Sequence, residues 1–209
     1  MKIKTKKKIQ WEDIYFAIKW LFRCILIITF VIFFTKKNNE NVGYLIITFL
    51  LTYYDWLVKK FLKIKLEPKL KIAILLFIFS TQYLGTILDI YGIFPIWDTI
   101  LHSLSGVLFT YIGFVVLYEM NKRIQPEYKI HPIIRIAFAF CFTLAIGVLW
   151  EIFEFSVDSF LGGNMQVTLG MIGQEAVKDT MVDLIAATLG SLAACIWELK
   201  KTFKGKSKS

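Results

Sequence analysis

Apolar and polar positions alternate in long blocks, dividing the chain into six apolar runs separated by short polar stretches. The runs cover 14–34, 42–61, 70–94, 96–119, 132–160 and 178–197. Each approaches the ~20 residues that an α-helix needs to cross a bilayer. The pattern predicts an all-α, polytopic integral membrane protein of about six transmembrane helices, forming one membrane domain over 1–209.

Composition agrees. Hydrophobic residues make up 56% of the 209 positions, aromatics 16%, and the mean hydropathy is +0.59. The six tryptophans, Trp11, Trp20, Trp56, Trp97, Trp150 and Trp197, fall near run ends, as an interfacial aromatic belt requires. The first run follows the basic stretch Lys2–Lys8, as a secretory leader would, but Thr35-Lys-Lys-Asn-Asn-Glu40 offers no small-x-small cleavage site. It is expected to be a retained helix, with Lys19 and Arg23 snorkelling to the nearer surface.

The net charge of +9 changes the picture only through its distribution. Lys and Arg number five at 2–8, six at 59–71, four at 122–135 and five at 200–208. The alternate segments hold Lys36 and Lys37, none at 95–97, and Lys178. That asymmetry is the positive-inside pattern; it predicts both termini in the cytoplasm and faces the basic tail toward anionic lipid rather than nucleic acid. Cys24, Cys141 and Cys195 stand apart within runs, without metal or redox spacing, and read as small packing residues. Ala186, Ala187, Gly190, Ser191, Ala193 and Ala194, with Ser103, Ser105 and Gly106, mark seams where helices approach closely. The longest connection, 161–177, carries a Gly162-Gly163-Asn164 turn and is apolar enough to dip into the outer interface.

On this topology eight of the 16 acidic residues gather at the outer ends of four helices. Asp98 and His102 are i, i+4 on one helix face, and Asp179 and Asp183 repeat that spacing. Glu151 and Glu154, with Asp158, form a second stripe; Asp89 and Glu175 lie near the same end. Helix-dipole complementation accounts for Asp98 and Asp179 in first turns, but not for Asp183, Glu151 or Glu154. Carboxylates crowded at membrane depth repel one another and lose hydration, so a proton, a base, water or a cation must relieve them. Lys178 is the one evident basic residue on that side. A histidine among inward carboxylates on facing helices matches the ligand logic of carboxylate metal bundles and suits Mg²⁺, Mn²⁺, Fe²⁺ or Zn²⁺. The expected metal ligands are Asp98, His102, Glu151, Glu154, Asp179 and Asp183, with Asp89, Asp158 and Glu175 as additions. Asp55 lies outside this group and is expected to make an interhelical hydrogen bond.

Three blocks, Asp98-Thr-Ile-Leu-His102-Ser-Leu-Ser-Gly106, Trp150-Glu151-Ile-Phe-Glu154-Phe and Asp179-Thr-Met-Val-Asp183-Leu-Ile-Ala-Ala-Thr-Leu-Gly190, resemble the YjdF-like family of predicted bacterial inner-membrane proteins. The resemblance runs from about Asp89 to Ala194 and implies multi-pass placement in a bacterial cytoplasmic membrane. It places Asp98, His102, Gly106, Glu151, Glu154, Asp179, Asp183 and Gly190 on motif positions and brings no established activity with it.

Three functions compete. A metalloenzyme at the outer leaflet would use the bound cation to bridge a lipid-linked phosphate and orient water. A transporter would use the same carboxylates for a cation or proton, although a one-sided cluster suits alternating access poorly. An accessory protein would use them only to tie helices together, at about 0.6 kcal/mol per polar contact. The expected partners are membrane lipid and a lipid-linked substrate, with no nucleic acid.

Overall fold

A computed structural model describes residues 10–37, 39–122, 130–161, 165 and 174–206. Among these residues every regular element is helical. The helices are α1 (Trp11–Thr35), α2 (Asn39–Leu51), α3 (Tyr54–Leu57), α4 (Pro68–Ile78), α5 (Ile90–Ile93), α6 (Trp97–Asn121), α7 (Pro132–Leu161) and α8 (Gln174–Lys206). Helices α3 and α4 run on as π-helical turns over Val58–Leu62 and Phe79–Ile87. Five segments are long and apolar enough to span a bilayer: Trp11–Thr35, Pro68–Ile87, Trp97–Asn121, Pro132–Phe160 and Val177–Lys204. Asn41–Leu51 and Tyr54–Leu62 make a sixth when counted as one span bent by 44°. Two compact units result, Met1–Ile90 and Tyr91–Ser209.

In the first unit, α1 opens with the Gln10 amide donating to Asp13 Oδ2 at 3.0 Å, which satisfies one of the free N–H groups of a helix start. Its inner face packs Tyr15, Phe22 and Leu26 against Leu45, Leu75 and Ile87. The expected snorkelling of Lys19 and Arg23 is corrected by this packing. Both side chains are buried, because partners on the next span outweigh the reach to the surface. Lys19 Nζ lies 2.6 Å from Asp55 Oδ1, and Arg23 Nε donates to Thr52 Oγ1 at 2.9 Å. Thr52 in turn donates to the Phe49 carbonyl at 2.8 Å. These bonds gather at the break between α2 and α3, where the Phe49 carbonyl accepts from both the Thr52 hydroxyl and, at 3.1 Å, the Thr52 amide.

The third span also ends earlier than the apolar run suggests. Its second half carries Ser80, Thr81, Gln82 and Gly85, and it relaxes to π geometry with Leu88 N bonding to Tyr83 O at 3.0 Å. Asp89 then takes a left-handed backbone (φ 55°) and stops it.

The second unit is a three-helix assembly of α6, α7 and α8. Its tightest contact joins α6 to α8. A Cβ built on Gly106 would stand 2.0 Å from the Ala187 carbonyl oxygen, and one on Gly190 would stand 2.0 Å from that of Ser103. Only glycine allows backbones that close. Gly113 approaches α7 less closely, where a Cβ would stand 3.1 Å from the Ala139 Cα. Buried hydroxyls tie the three helices together: Thr110 Oγ1 is 2.7 Å from Ser191 Oγ and 2.9 Å from Thr143 Oγ1. Ala193, placed in the seam by its sequence, faces outward, whereas Cys195 is buried and Cys24 and Cys141 are exposed.

Candidate polar site of the three-helix unit

The site lies where α6 begins, α7 nears its end and α8 begins. Asp98 sits in the first turn of α6 and His102 one turn on, so both project from the same face. Asp183 lies one turn before Ala187, and His102 one turn before Gly106. The Gly106–Ala187 backbone contact therefore holds His102 and Asp183 side by side on facing helices.

The imidazole stands between two carboxylates. His102 Nε2 is 3.6 Å from Asp98 Oδ1, and His102 Nδ1 is 3.9 Å from Glu151 Oε1. Both separations exceed a hydrogen bond, so these groups share a space without closing on one another. One donor atom each from Asp98, His102 and Asp183 fits within 4.8 Å of the others. Glu151 reaches this group from α7; it is 5% exposed, and its buried Oε1 has no hydrogen-bond partner among the described residues. The Thr180 hydroxyl lies within hydrogen-bonding reach of the same carboxylate. Among the described residues no lysine or arginine pairs with these acids; Lys178 is exposed.

The remaining expected residues divide. Glu154 accepts from Trp150 Nε1 at 2.7 Å and lies within electrostatic reach of Glu151, Asp98 and Asp183. Asp179 lies within the same reach of Asp98 and His102. Both flank the inner group of Asp98, His102 and Asp183. Asp158 accepts from the Met165 amide at 2.7 Å, a capping role past the end of α7. Asp89 belongs to the other unit, where it ends a helix. The side chain of Glu175 lies outside the described residues, as does most of the 161–177 connection with its Gly162-Gly163-Asn164 turn.

One residue without any motif joins the set. Tyr91, in the short helix α5, is part-buried, and burial pushes its phenol above the ordinary range. The carboxylates of Asp98, Glu154 and Asp183 add to that shift by disfavouring a further negative charge. It places a neutral O–H donor close to the acids. In sequence it reads as one more interfacial tyrosine.

Chemically, the arrangement can accept a cation. It offers several carboxylate oxygens and an imidazole nitrogen in a part-buried space, and among the described residues no basic side chain competes for them.

Known proteins place the chain without assigning it an activity. An uncharacterized protein of Thermotoga maritima is 28% identical over 154 residues, covering 74% of this chain and 73% of its own. No solved structure matches. Residues 18–201 match the family described as Predicted membrane protein (DUF2238), and a match over that much of the 209 positions makes this chain a member of it.

Proposed function

We propose that the protein is a membrane enzyme that binds a divalent cation at the His/carboxylate site and uses it on a lipid or lipid-linked phosphate. The observation that carries this reading is the convergence of Asp98, His102 and Asp183 donor atoms within 4.8 Å. A divalent ion holds oxygen and nitrogen ligands at about 2.0–2.2 Å, so donors on one ion stand about 3–4 Å apart. Small rotations of the two carboxylates close that gap. The unpartnered Oε1 of Glu151 supplies a further ligand or the general base that takes a proton from water. The cation would supply the electrophile, bridging phosphate oxygens and orienting that water. Glu154 and Asp179 complete the ligand set from the flanks.

The alternating distribution of Lys and Arg supports an outward-facing site in a bacterial cytoplasmic membrane. The YjdF-like resemblance of the three motif blocks favours the same placement.

Metal content by inductively coupled plasma mass spectrometry on detergent-purified protein tests the reading. Wild type is expected to carry about one equivalent of a divalent metal. The Asp98→Ala/His102→Ala variant should carry almost none while keeping its helical circular dichroism. Metal-free wild type after incubation with Mg²⁺, Mn²⁺, Fe²⁺ and Zn²⁺ would sink it, and would favour a proton-sharing network of the kind transporters use.

A further inference from the structure

The first unit holds a second group of charges, built on a different plan. Helix α1 has 25 residues, and Arg23 is its midpoint. At 1.5 Å per residue the helix measures about 37 Å against about 30 Å of hydrocarbon, so the guanidinium sits deep in the span. It is 7% exposed. Lys19, one turn earlier, is 6% exposed.

Two cations therefore stand an α-helical turn apart, and among the described residues a single carboxylate, Asp55, pairs with either of them. Asp55 is taken by Lys19 at 2.6 Å. The other ion pair nearby, Lys71 with Glu12 at 2.6 Å, is neutral in itself. One positive charge remains, and it is Arg23. Its Nε has Thr52, but its buried Nη2 has no acceptor among the described residues. Aromatic rings surround it: Tyr53 at 4.1 Å, Trp20 at 5.3 Å and Phe49 at 5.6 Å. Ring faces attract the cation's charge, yet they offer no lone pair to N–H bonds lying in the guanidinium plane. The structure thus contains a buried unit charge with an open donor.

We propose that the first unit binds a small monovalent anion, of the halide class, at Arg23 Nη2. The anion would make the cluster of Lys19, Arg23 and Asp55 neutral and accept the open N–H. Monovalence follows from the count of one excess charge, and small size follows from the burial of Nη2 itself. This site is independent of the cation site in the three-helix unit.

Thermal unfolding of purified full-length protein in sodium chloride, compared with sodium gluconate at equal ionic strength, tests the proposal. Chloride should raise Tm of wild type by about 3 °C at ten times its half-saturating concentration. Arg23→Gln should lose the response. Lys19→Met/Asp55→Leu, which removes a neutral pair and leaves the excess charge, should keep it. Equal Tm in both salts for wild type, or an undiminished response in Arg23→Gln, would overturn the assignment. Should Arg23→Gln not fold, iodide gives a local readout in wild type. Bound iodide should quench the fluorescence of Trp20 saturably, and that component should vanish in Trp20→Phe. Quenching that rises linearly with iodide, or is unchanged in Trp20→Phe, overturns the proposal as well.

Discussion

The two units solve the same problem, charge in an apolar span, in opposite ways. In the first, Lys19 meets Asp55 and Lys71 meets Glu12 at 2.6 Å, within charge-assisted hydrogen-bond range. At the polar site of the second, His102 stands 3.6 Å from Asp98 and 3.9 Å from Glu151, and the acids around it outnumber that imidazole. Closed pairs stabilise a fold by setting each charge against its opposite. Open sets of like charge do not, and keeping them carries a cost that the proposed cation would offset. Distance, more than the presence of charge, separates structural polarity from polarity reserved for a partner.

The largest effect that would sharpen this distinction lies in the first unit. Lys19→Met alone leaves a half-buried Asp55 without its cation and should cost about 1–3 kcal/mol of stability. Adding Asp55→Leu should restore most of it, as measured by unfolding in mixed detergent micelles. Equal loss in the single and double variants would mean that the pair is not what holds α1 to the second span. In the three-helix unit the sign should differ. Glu151→Gln keeps the volume and removes one of the crowded negative charges, so metal-free protein should be unchanged or gain about 1 kcal/mol. The same variant should lose about ten- to a hundred-fold in divalent-metal affinity by titration calorimetry. A large loss of metal-free stability would make Glu151 a structural residue like Asp55. The smallest effect concerns neutral polar groups: Thr110→Val should cost about 0.6 kcal/mol, because Thr143 keeps the Ala139 carbonyl as its acceptor.

The membrane class and the approximate spans were legible from hydropathy because length and polarity report depth in a bilayer directly. Azimuth was not. Nothing within α1 says which way Lys19 turns, since its partner Asp55 lies 36 positions away. The bend at Thr52 and the π turns of Phe79–Ile87 were equally hidden, for hydroxyl residues are tolerated in straight and distorted helices alike. At the polar site, helical spacing put Asp98 with His102 and Asp179 with Asp183. It also grouped Glu151 with Glu154, and here the structure separates them. Glu151 points at the imidazole, while Glu154 is held by Trp150 on its own helix. A three-residue spacing leaves the two about 60° apart around the axis, enough to send one inward and one to the flank. Tyr91 was invisible because it stands on a separate short helix, with no periodic relation to the acids it approaches.

If the polar site holds a cation as proposed, the glycine contact between α6 and α8 bears on which one. Gly106 touches Ala187, and Gly190 touches Ser103, backbone against backbone, with no side chain between to compress or swing aside. His102 and Asp183 ride one turn from that contact, so the gap between their main chains behaves as a calliper locked at two points. Ligand atoms can rotate about χ angles, but their anchors cannot drift to follow a larger or smaller ion. Discrimination by ionic radius would then be written into two missing methyl groups rather than into the ligands themselves.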